Sequence, residues 1–503
     1  MSLTKASASL TGISLFRMAL GLVSQLTVAY YFGTSRQLDL YFIANALPAA
    51  ITGMTLPLFT GSIIPQLSPI RNNPQFTTLV SKLLSVVMAM SVLLCVLGYF
   101  AGPILLSVTS QLSGQDVKTG GNLARLIWAT VACEVLINYL ISLLHIERRF
   151  ILPALLLMFP TVGSILGMLI WARGHGIYGL LTGWLIADVC SVTILFFAAR
   201  KLHRLRIYSF WKSLDASYLL KNSLAVAVGI FPFTVLPILD GYWSSVLPDG
   251  SMAYIGYSNR ITQAMALVVS GGVYTAILPY LSDAQDQGDT FAKSLRNSVR
   301  AVLLFLVPMC CFAYGFGDKI LQLLLHRGQF DASSQQGVLR LLPFYLCGIL
   351  FMAPASLITR GYMARRYWNR LGLISVVEIV AYFAMSGILI RFTSYSGIGL
   401  AYVLYWSSFF VISCRMLDRG ILTRELLVFA GKLTAASAFC VAIARLLTGF
   451  LTPNITVSLV AGWLTASLLF WLVNKSAIRL KEIEIAQGIV LGYLNRAARR
   501  VIS

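Results

Sequence analysis

The stretch SMAYIGYSNRITQAMALVVSGGVYTAILPYLSDA, residues 251–284, contains the features that decide the fold. It is long enough to cross a bilayer, because a helix rises about 1.5 Å per residue and the hydrocarbon layer is about 30 Å thick. Asn259 and Arg260 interrupt it about two turns from its start. An arginine is costly inside a bilayer unless it faces protein, water or a ligand. The stretch therefore predicts a membrane helix whose arginine side chain faces protein, water or a ligand.

The same stretch has a counterpart earlier in the chain. At an offset of 214 positions the matching pairs are Asn259 with Asn45, Leu278 with Ile64, Pro279 with Pro65, Leu281 with Leu67 and Ser282 with Ser68. Arg260 has no charged counterpart, because Ala46 stands at its position. The offset grows to 217 where YMARRY at 362–367 aligns with HIERRF at 145–150. Since an even number of spans separates the copies, the pattern predicts two parallel repeats with a cavity between them.

The composition indicates a membrane protein. Of the 503 residues 58% are hydrophobic and 11% are charged, whereas soluble domains carry about 25% charged residues. The net charge of +21 comes from basic residues that cluster between apolar stretches. Cytoplasmic loops of membrane proteins have this character, so we expect no nucleic-acid partner.

The hydropathy pattern predicts an all-α polytopic protein with fourteen transmembrane helices. The predicted spans are 10–32, 38–66, 78–107, 122–145, 152–172, 176–199, 219–247, 252–282, 295–325, 337–361, 371–391, 396–416, 426–449 and 455–474. Two six-helix lobes cover 1–212 and 213–424, and two extra helices lie within 425–475. Residues 476–503 form a basic amphipathic tail that is expected on the cytoplasmic membrane surface.

The distribution of basic residues predicts the orientation. Alternate loops contain the clusters Arg71 with Lys82, Arg148 with Arg149, Arg200 with Lys201, Lys293 with Arg296, Arg365 with Arg366, and Arg415 with Arg419. Loops rich in arginine and lysine stay on the cytoplasmic side. With an even number of spans, both termini are then cytoplasmic.

Several charged residues lie in or at the edge of predicted spans. They are Arg17, Asp39, Glu134, Asp188, Asp240, Arg260, Glu378 and Arg445. The ordinary interpretation is an intramembrane pair, or a side chain that reaches the membrane surface. We interpret Arg260 as a ligand-binding residue, because a guanidinium suits a bidentate grip on phosphate. Asp240 and Glu378 share the second predicted lobe, where two carboxylates can bind Na⁺ or H⁺; pairing with another cation is the alternative.

The sequence lacks the motifs of the common energy-converting and catalytic sites. Gly431 and Lys432 are followed by Leu433 and do not form a nucleotide-binding loop. The eight cysteines and four histidines are scattered, which predicts neither a disulfide framework nor a metal site. We therefore expect a transporter rather than an enzyme, with no catalytic residues and with no cofactor beyond a coupling ion, Na⁺ or H⁺.

Four segments resemble elements of the MviN/MurJ-type flippases. They are YFGTSRQLDLYFIANALP at 31–48, ERRFILPAL at 147–155, ILDGYWSSVLPDGSMAYIGYSNRI at 238–261 and LLHRGQFDASS at 324–334. The resemblance spans most of the chain and agrees with fourteen helices. It implies a member of the multidrug/oligosaccharidyl-lipid/polysaccharide (MOP) superfamily. Such a protein moves undecaprenyl-diphosphate-linked saccharides from the inner to the outer leaflet of the bacterial cytoplasmic membrane by alternating access.

The resemblance also implies site residues. In these flippases arginines of a cavity hold the diphosphate and an aspartate begins the second helix, and Arg260 and Asp39 match them by position. Arg17 lies one position from the family's first arginine, and the repeat-related Asn45 and Asn259 complete the predicted substrate-binding set.

The resemblance further implies an ion site. A carboxylate in the seventh helix of the lipid II flippases belongs to a sodium site. Asp240 matches it, and Glu378 from the eleventh helix is the candidate partner.

Other positions depart from the family pattern. Ser24, Thr52 and Pro57 stand where the relatives carry charged residues, so the cavity is less charged. A lipid II-like precursor and an exopolysaccharide unit both fit such a cavity. The alternatives are a MATE-like cation-coupled exporter of small amphiphiles and a membrane enzyme of polysaccharide assembly. The expected partners are the lipid-linked glycan, membrane lipids and envelope glycan-assembly proteins.

Overall fold

The computed structural model describes residues 3–208, 224–283, 288–451 and 454–474, and all regular structure in these ranges is helical. The helices are α1 (Leu3–Phe32), α2 (Arg36–Leu58), α3 (Phe76–Thr109), α4 (Gln115–Ile146), α5 (Ile151–Leu156), α6 (Phe159–His175), α7 (Tyr178–His203), α8 (Leu224–Thr234), α9 (Leu236–Ser244), α10 (Ser251–Asp283), α11 (Gly288–Gly315), α12 (Gly317–Leu324), α13 (Ala332–Ala364), α14 (Trp368–Thr393), α15 (Tyr395–Leu417), α16 (Arg424–Leu451) and α17 (Ile455–Val473). Beyond Leu58, α2 continues through a π-helical turn to the short helix Ile64–Leu67.

Helix lengths confirm the predicted class, an all-α polytopic membrane protein. Within the described ranges twelve helical segments are long and apolar enough to cross a bilayer. The predicted span 219–247 corresponds to α8 together with α9, and the span 252–282 corresponds to α10. These elements agree with the expected fourteen spans. The predicted tail, 476–503, lies outside the described residues.

Among the described residues, three predicted spans are broken into pairs of helices, and the first of them, 152–172, divides at Leu157 and Met158 into α5 and α6. Pro232 lies inside α8 and Pro237 lies at the start of α9, with the break at Val235. Proline removes a backbone donor and clashes with the preceding turn, so a break between two prolines is expected. The predicted span 295–325 likewise divides at Phe316 into α11 and α12.

The chain folds into two compact units. The first unit comprises Met1–Gly256, Leu325–Gly337 and Ser386–Ile398, and the second comprises Tyr257–Leu324, Val338–Met385 and Gly399–Ser503. The predicted lobes, 1–212 and 213–424, follow the sequence repeat rather than these units, and their boundaries stay a prediction.

In the first unit α4 is the central helix and packs against α2, α3 and α7. Helix α7 also packs closely along α6, where the helices meet at glycines. A Cβ atom built on Gly167 would lie 2.8 Å from the Cα atom of Gly183. Small residues allow such close approach of two membrane helices. The backbones of α6 and α7 are therefore in direct contact at these glycines.

The second unit contains the last two helices. Helix α16 packs against α11 and α17, and α12 contacts α17. Phe316, at the break between α11 and α12, forms a buried cluster with Val441, Ala444 and Ala466. The two C-terminal helices are thus joined to α11 and α12 through an aromatic side chain that fills the space between them.

Turns that recur between the two halves of the sequence support the repeat and refine its alignment. Arg148 and Arg366 both have left-handed backbone, with φ of 55° and 57°. The next amide in each turn donates to the carbonyl five residues earlier, Arg149 to Leu144 and Tyr367 to Tyr362. The structural offset at this turn is therefore 218, and Arg148 corresponds to Arg366. The predicted pairing of Arg148 with Arg365 is wrong by one residue, because two adjacent arginines allow either alignment.

Candidate functional site

Arg260 and Asn259 lie in α10, between its second and third turns from Ser251. Both side chains are half-buried in the structure. The Oδ1 atom of Asn259 accepts a hydrogen bond of 3.0 Å from Nε2 of Gln263, one turn further along. The helix therefore presents a cation and two amide side chains over neighbouring turns.

Asp39 is the fourth residue of α2 and caps the beginning of α10. It is 1% exposed. Its carboxylate accepts hydrogen bonds from the amides of Gly250 at 2.6 Å and Ala253 at 2.7 Å. Gly250 immediately precedes α10 and has no side chain to act as a cap, so Asp39 supplies the oxygen atoms from another helix. A carboxylate at a helix N-terminus also interacts favourably with the helix dipole.

This assignment gives Asp39 a structural role beside the predicted one. The sequence also predicts that Asp39 lies near the outer mouth, where it could pair with a cation, and Arg36 interacts with it electrostatically. Its hydrogen-bond donors among the described residues, however, are two backbone amides. Its predicted contact with substrate stays a prediction.

Other loops of the first unit meet beside this cap. Arg36 forms ion pairs with Asp116 at 2.7 Å and with Asp249 at 3.4 Å. The hydroxyl groups of Thr34 and Ser334 are hydrogen-bonded at 2.8 Å. These contacts join the loop after α1 to segments that are 80 to 300 positions away in the sequence.

The aspartate of the LLHRGQFDASS motif, Asp331, caps a helix. The sequence analysis missed this role. Oδ1 of Asp331 accepts hydrogen bonds of 2.8 Å from the Ser334 amide and the Ser333 hydroxyl in the first turn of α13. These hydrogen bonds lower the pKa of Asp331 to about 2. An aspartate directly before the first residue of a helix is a recognisable capping signal.

Two further predicted substrate residues lie in the first unit. Arg17 is exposed along α1, and Asn45 is half-buried in α2. Arg260 and Asn259 belong to the second unit. The binding role of all four stays a prediction.

The predicted ion-site residues also divide between the units. Asp240 in α9 is 3% exposed and belongs to the first unit. Glu378 in α14 is 6% exposed, belongs to the second unit, and accepts a hydrogen bond of 2.6 Å from the Ser408 hydroxyl. The ion-binding role of both carboxylates stays a prediction.

An apolar cavity of about 470 Å³ lies in the second unit, beside the helix that carries Arg260. Helices α10, α11, α12, α16 and α17 contribute its lining, which includes Ile261, Met265, Phe312, Cys440, Trp463 and Phe470. Ile261 follows Arg260 directly in the sequence. The sequence predicts that the last two helices shape an apolar groove for the lipid tail, lined by residues such as Phe439, Val441, Leu446 and Phe470. Val441 and Phe470 line the cavity, whereas Phe439 and Leu446 are exposed.

Comparison with known proteins identifies the family. Residues 28–485 match the family model described as the lipid II flippase MurJ. A probable lipid II flippase MurJ from Thermotoga maritima is 25% identical over 96% of this chain and 98% of its own length. The lipid II flippase MurJ of Burkholderia cenocepacia is 20% identical over 73% of this chain and 74% of its own length.

Solved structures show the same fold. A lipid II flippase MurJ in an inward closed conformation superposes with a TM-score of 0.77 over 93% of this chain and 99% of that one, at 17% identity. An inward-facing multidrug resistance MATE transporter of the MOP superfamily gives 0.67 over 80% of this chain and 94% of that one, at 11% identity. Since the family model covers residues 28–485, the chain belongs to the lipid II flippase MurJ family.

Proposed function

We propose that this protein is a flippase for an undecaprenyl-diphosphate-linked saccharide in the bacterial inner membrane. Its substrate is a lipid II-like peptidoglycan precursor or an exopolysaccharide repeat unit. The match to the MurJ family model along most of the chain carries this proposal. The proposed activity is transport, with no covalent step.

The chemistry of α10 supports an amphiphilic substrate with an anionic head and a long apolar tail. Arg260 provides a guanidinium for the diphosphate, and Ile261 and Met265 line the apolar cavity of the same unit. A cation and an apolar surface within two turns of one helix are what such a ligand requires. The tail stays in apolar surroundings, because its transfer into a polar cavity is unfavourable.

The barrier that the protein lowers is electrostatic. A diphosphate carries roughly two negative charges, and moving it through hydrocarbon costs tens of kcal/mol by Born solvation. A fixed guanidinium in a wet cavity replaces part of the lost hydration. Alternating access then exposes this site first to the inner and then to the outer leaflet, with both termini in the cytoplasm.

Coupling to an ion gradient is part of the proposal. Asp240 and Glu378 are buried carboxylates within membrane helices, and such groups bind a cation or a proton. We assign the binding of Na⁺ or H⁺ to these carboxylates. Envelope glycan-assembly proteins are the expected partners that supply or consume the substrate.

The MATE-like alternative rests on fold similarity. The MATE transporter superposes on this chain at 11% identity, a level that supports a shared architecture rather than a shared substrate. The lipid II flippase family model, in contrast, matches residues 28–485 by sequence. The lipid-linked glycan is therefore the favoured substrate class.

Replacement of the resident flippase tests the proposal. Cells that depend on this protein should accumulate lipid-linked precursor in the inner leaflet when it is depleted, and should export it when it is restored. Purified protein in liposomes should move a fluorescent polyprenyl-diphosphate saccharide, and a cationic dye should not compete. Movement of the dye with no movement of the lipid-linked saccharide would favour the MATE-like exporter.

A further inference from the structure

Asp188 is a buried acid that the proposed function does not use. It lies in α7 within the first unit and is 0% exposed. Neither of its carboxylate oxygen atoms has a hydrogen-bond partner among the residues that the structure describes. An isolated ionised carboxylate in such surroundings is strongly unfavourable, so the group is expected to become neutral or to bind a counterion.

The ionisable group that acts on Asp188 electrostatically is a second acid. Asp188 interacts electrostatically with Glu134 on α4. Thr52 of α2 and Trp184 of α7 are the polar neighbours of Glu134. The buried indole N–H of Trp184 has no hydrogen-bond acceptor among the described residues. Two ionised carboxylates that face each other repel, and one of them therefore favours a bound proton or cation.

Helix packing holds this pair in place. Leu181, Asp188 and Leu195 recur at seven-residue spacing on α7 and are all 0% exposed. They form one buried stripe, in which a leucine at position 188 would be less costly than an acid. Gly183, on another face of α7, meets the backbone of α6 so closely that a Cβ would overlap it. The close packing of α7 therefore keeps Asp188 buried.

The groups around the pair favour a proton over a metal cation. The Cys133 thiol on α4 interacts with both Asp188 and Glu134, and Cys95 on α3 interacts with Cys133. On α6, the positions that face α7 include Gly163 and Gly167. A hard cation such as Na⁺ prefers a set of oxygen ligands, whereas a thiol and an indole N–H do not serve it. A proton needs only one carboxylate oxygen.

We propose that Asp188 and Glu134 form a proton-binding carboxyl pair in the first unit. One bound proton reduces the charge of the pair from two negative charges to one, and no other atom is transferred. The site uses residues other than Asp240 and Glu378. It goes beyond the proposed function, because proton binding at this pair does not depend on which lipid the protein moves.

Infrared spectroscopy of the full-length protein in lipid nanodiscs tests the pair directly. A protonated carboxyl group absorbs apart from a carboxylate, so the wild-type spectrum minus that of Asp188→Asn should contain one protonated carboxyl band at neutral pH. Glu134→Gln removes the repelling charge, and the band should then disappear at lower pH than in the wild type. Asp249→Asn, at an exposed acid, is the control and should leave the band unchanged.

The outcomes separate a proton site from its alternatives. If the wild-type and Asp188→Asn spectra agree in the protonated carboxyl region, Asp188 is ionised and the proposal is overturned. A carboxylate band that shifts with Na⁺ in the wild type but not in Asp188→Asn would replace the proton with sodium. Should Asp188→Asn fail to fold, the titration of Glu134→Gln decides: a shift to lower pH supports the pair, and an unchanged titration overturns it.

Discussion

Arg260 is the residue on which the proposed transport depends most. Replacing it with alanine removes the charge-assisted hydrogen bonds to the diphosphate, each worth about 1.5–3 kcal/mol, or roughly 10- to 100-fold in affinity. We expect Arg260→Ala to abolish flipping, and Arg260→Lys to retain a small part of it because the planar fork is lost. Accumulation of lipid-linked precursor in complemented cells measures the effect. Arg125→Ala, at an exposed arginine of α4, is the control, and normal export by Arg260→Ala would refute the assignment.

The capping role of Asp39 leads to a prediction about the stability of the protein rather than about transport. Asp39→Ala leaves the amides of Gly250 and Ala253 without their acceptor, and buried donors without partners cost about 1–3 kcal/mol each. The unfolding temperature in detergent should fall, and Asp39→Asn should lower it less because one oxygen atom remains. Asp249→Asn should change stability by no more than about 0.5 kcal/mol, because the side chain is 71% exposed. Equal unfolding temperatures for Asp39→Ala and the wild type would contradict the cap.

At the scale of the helix, the α6–α7 contact depends on the absence of side chains. Gly183→Val introduces atoms where the backbone of Gly163 and Gly167 lies, and overpacking of this kind costs about 1–3 kcal/mol or more. Gly174→Ala is the matched control on α6, since a Cβ there meets nothing within 4 Å. It should be neutral or stabilise the helix by up to about 1 kcal/mol. The unfolding temperature of Gly183→Val should therefore be lower than that of Gly174→Ala. Equal unfolding temperatures would show that the backbones of α6 and α7 are not in close contact.

Two variants on one helix can test whether the lipid tail enters the apolar cavity of the second unit. Ser467 of α17 lines the cavity, whereas its neighbour Leu468 is 58% exposed. We expect Ser467→Trp to fill part of the cavity and to slow flipping of a long polyprenyl substrate several-fold. A substrate with a short tail should be affected less. Leu468→Trp should transport normally, and equal rates for both variants would show that the tail does not enter this cavity.

For the whole molecule, the orientation can be measured at the two ends of α3. Asn73 precedes this helix and Ser113 follows it, and both side chains are exposed. A cysteine at position 113 should react with a membrane-impermeant maleimide added to intact cells, and a cysteine at position 73 should react only after lysis. The native cysteines are replaced beforehand in both variants. The opposite pattern would invert the assignment of the basic loops to the cytoplasm.

Much of the architecture could be predicted from the sequence alone. The apolar runs, the loops rich in arginine and the recurring motifs led to the polytopic class, the number of spans and the family. Each of these properties depends on local composition, because transfer of a segment into lipid requires only that the segment be long and apolar and that its backbone be satisfied internally. The capping role of Asp331 was missed, although an aspartate directly before a helix is a local signal of the same kind.

Other features required the tertiary structure. Asp39 caps a helix that begins 212 positions later, Asp188 interacts electrostatically with Glu134 of another helix, and the turn at Arg148 corresponds to the turn at Arg366. The sequence places Asp39 and Asp188 in or at the edge of membrane spans, but their neighbours depend on which faces of the helices pack together. Packing in a membrane is decided by close contact of small residues and by hydrogen bonds between distant segments, and neither has a local sequence period that would reveal its partner.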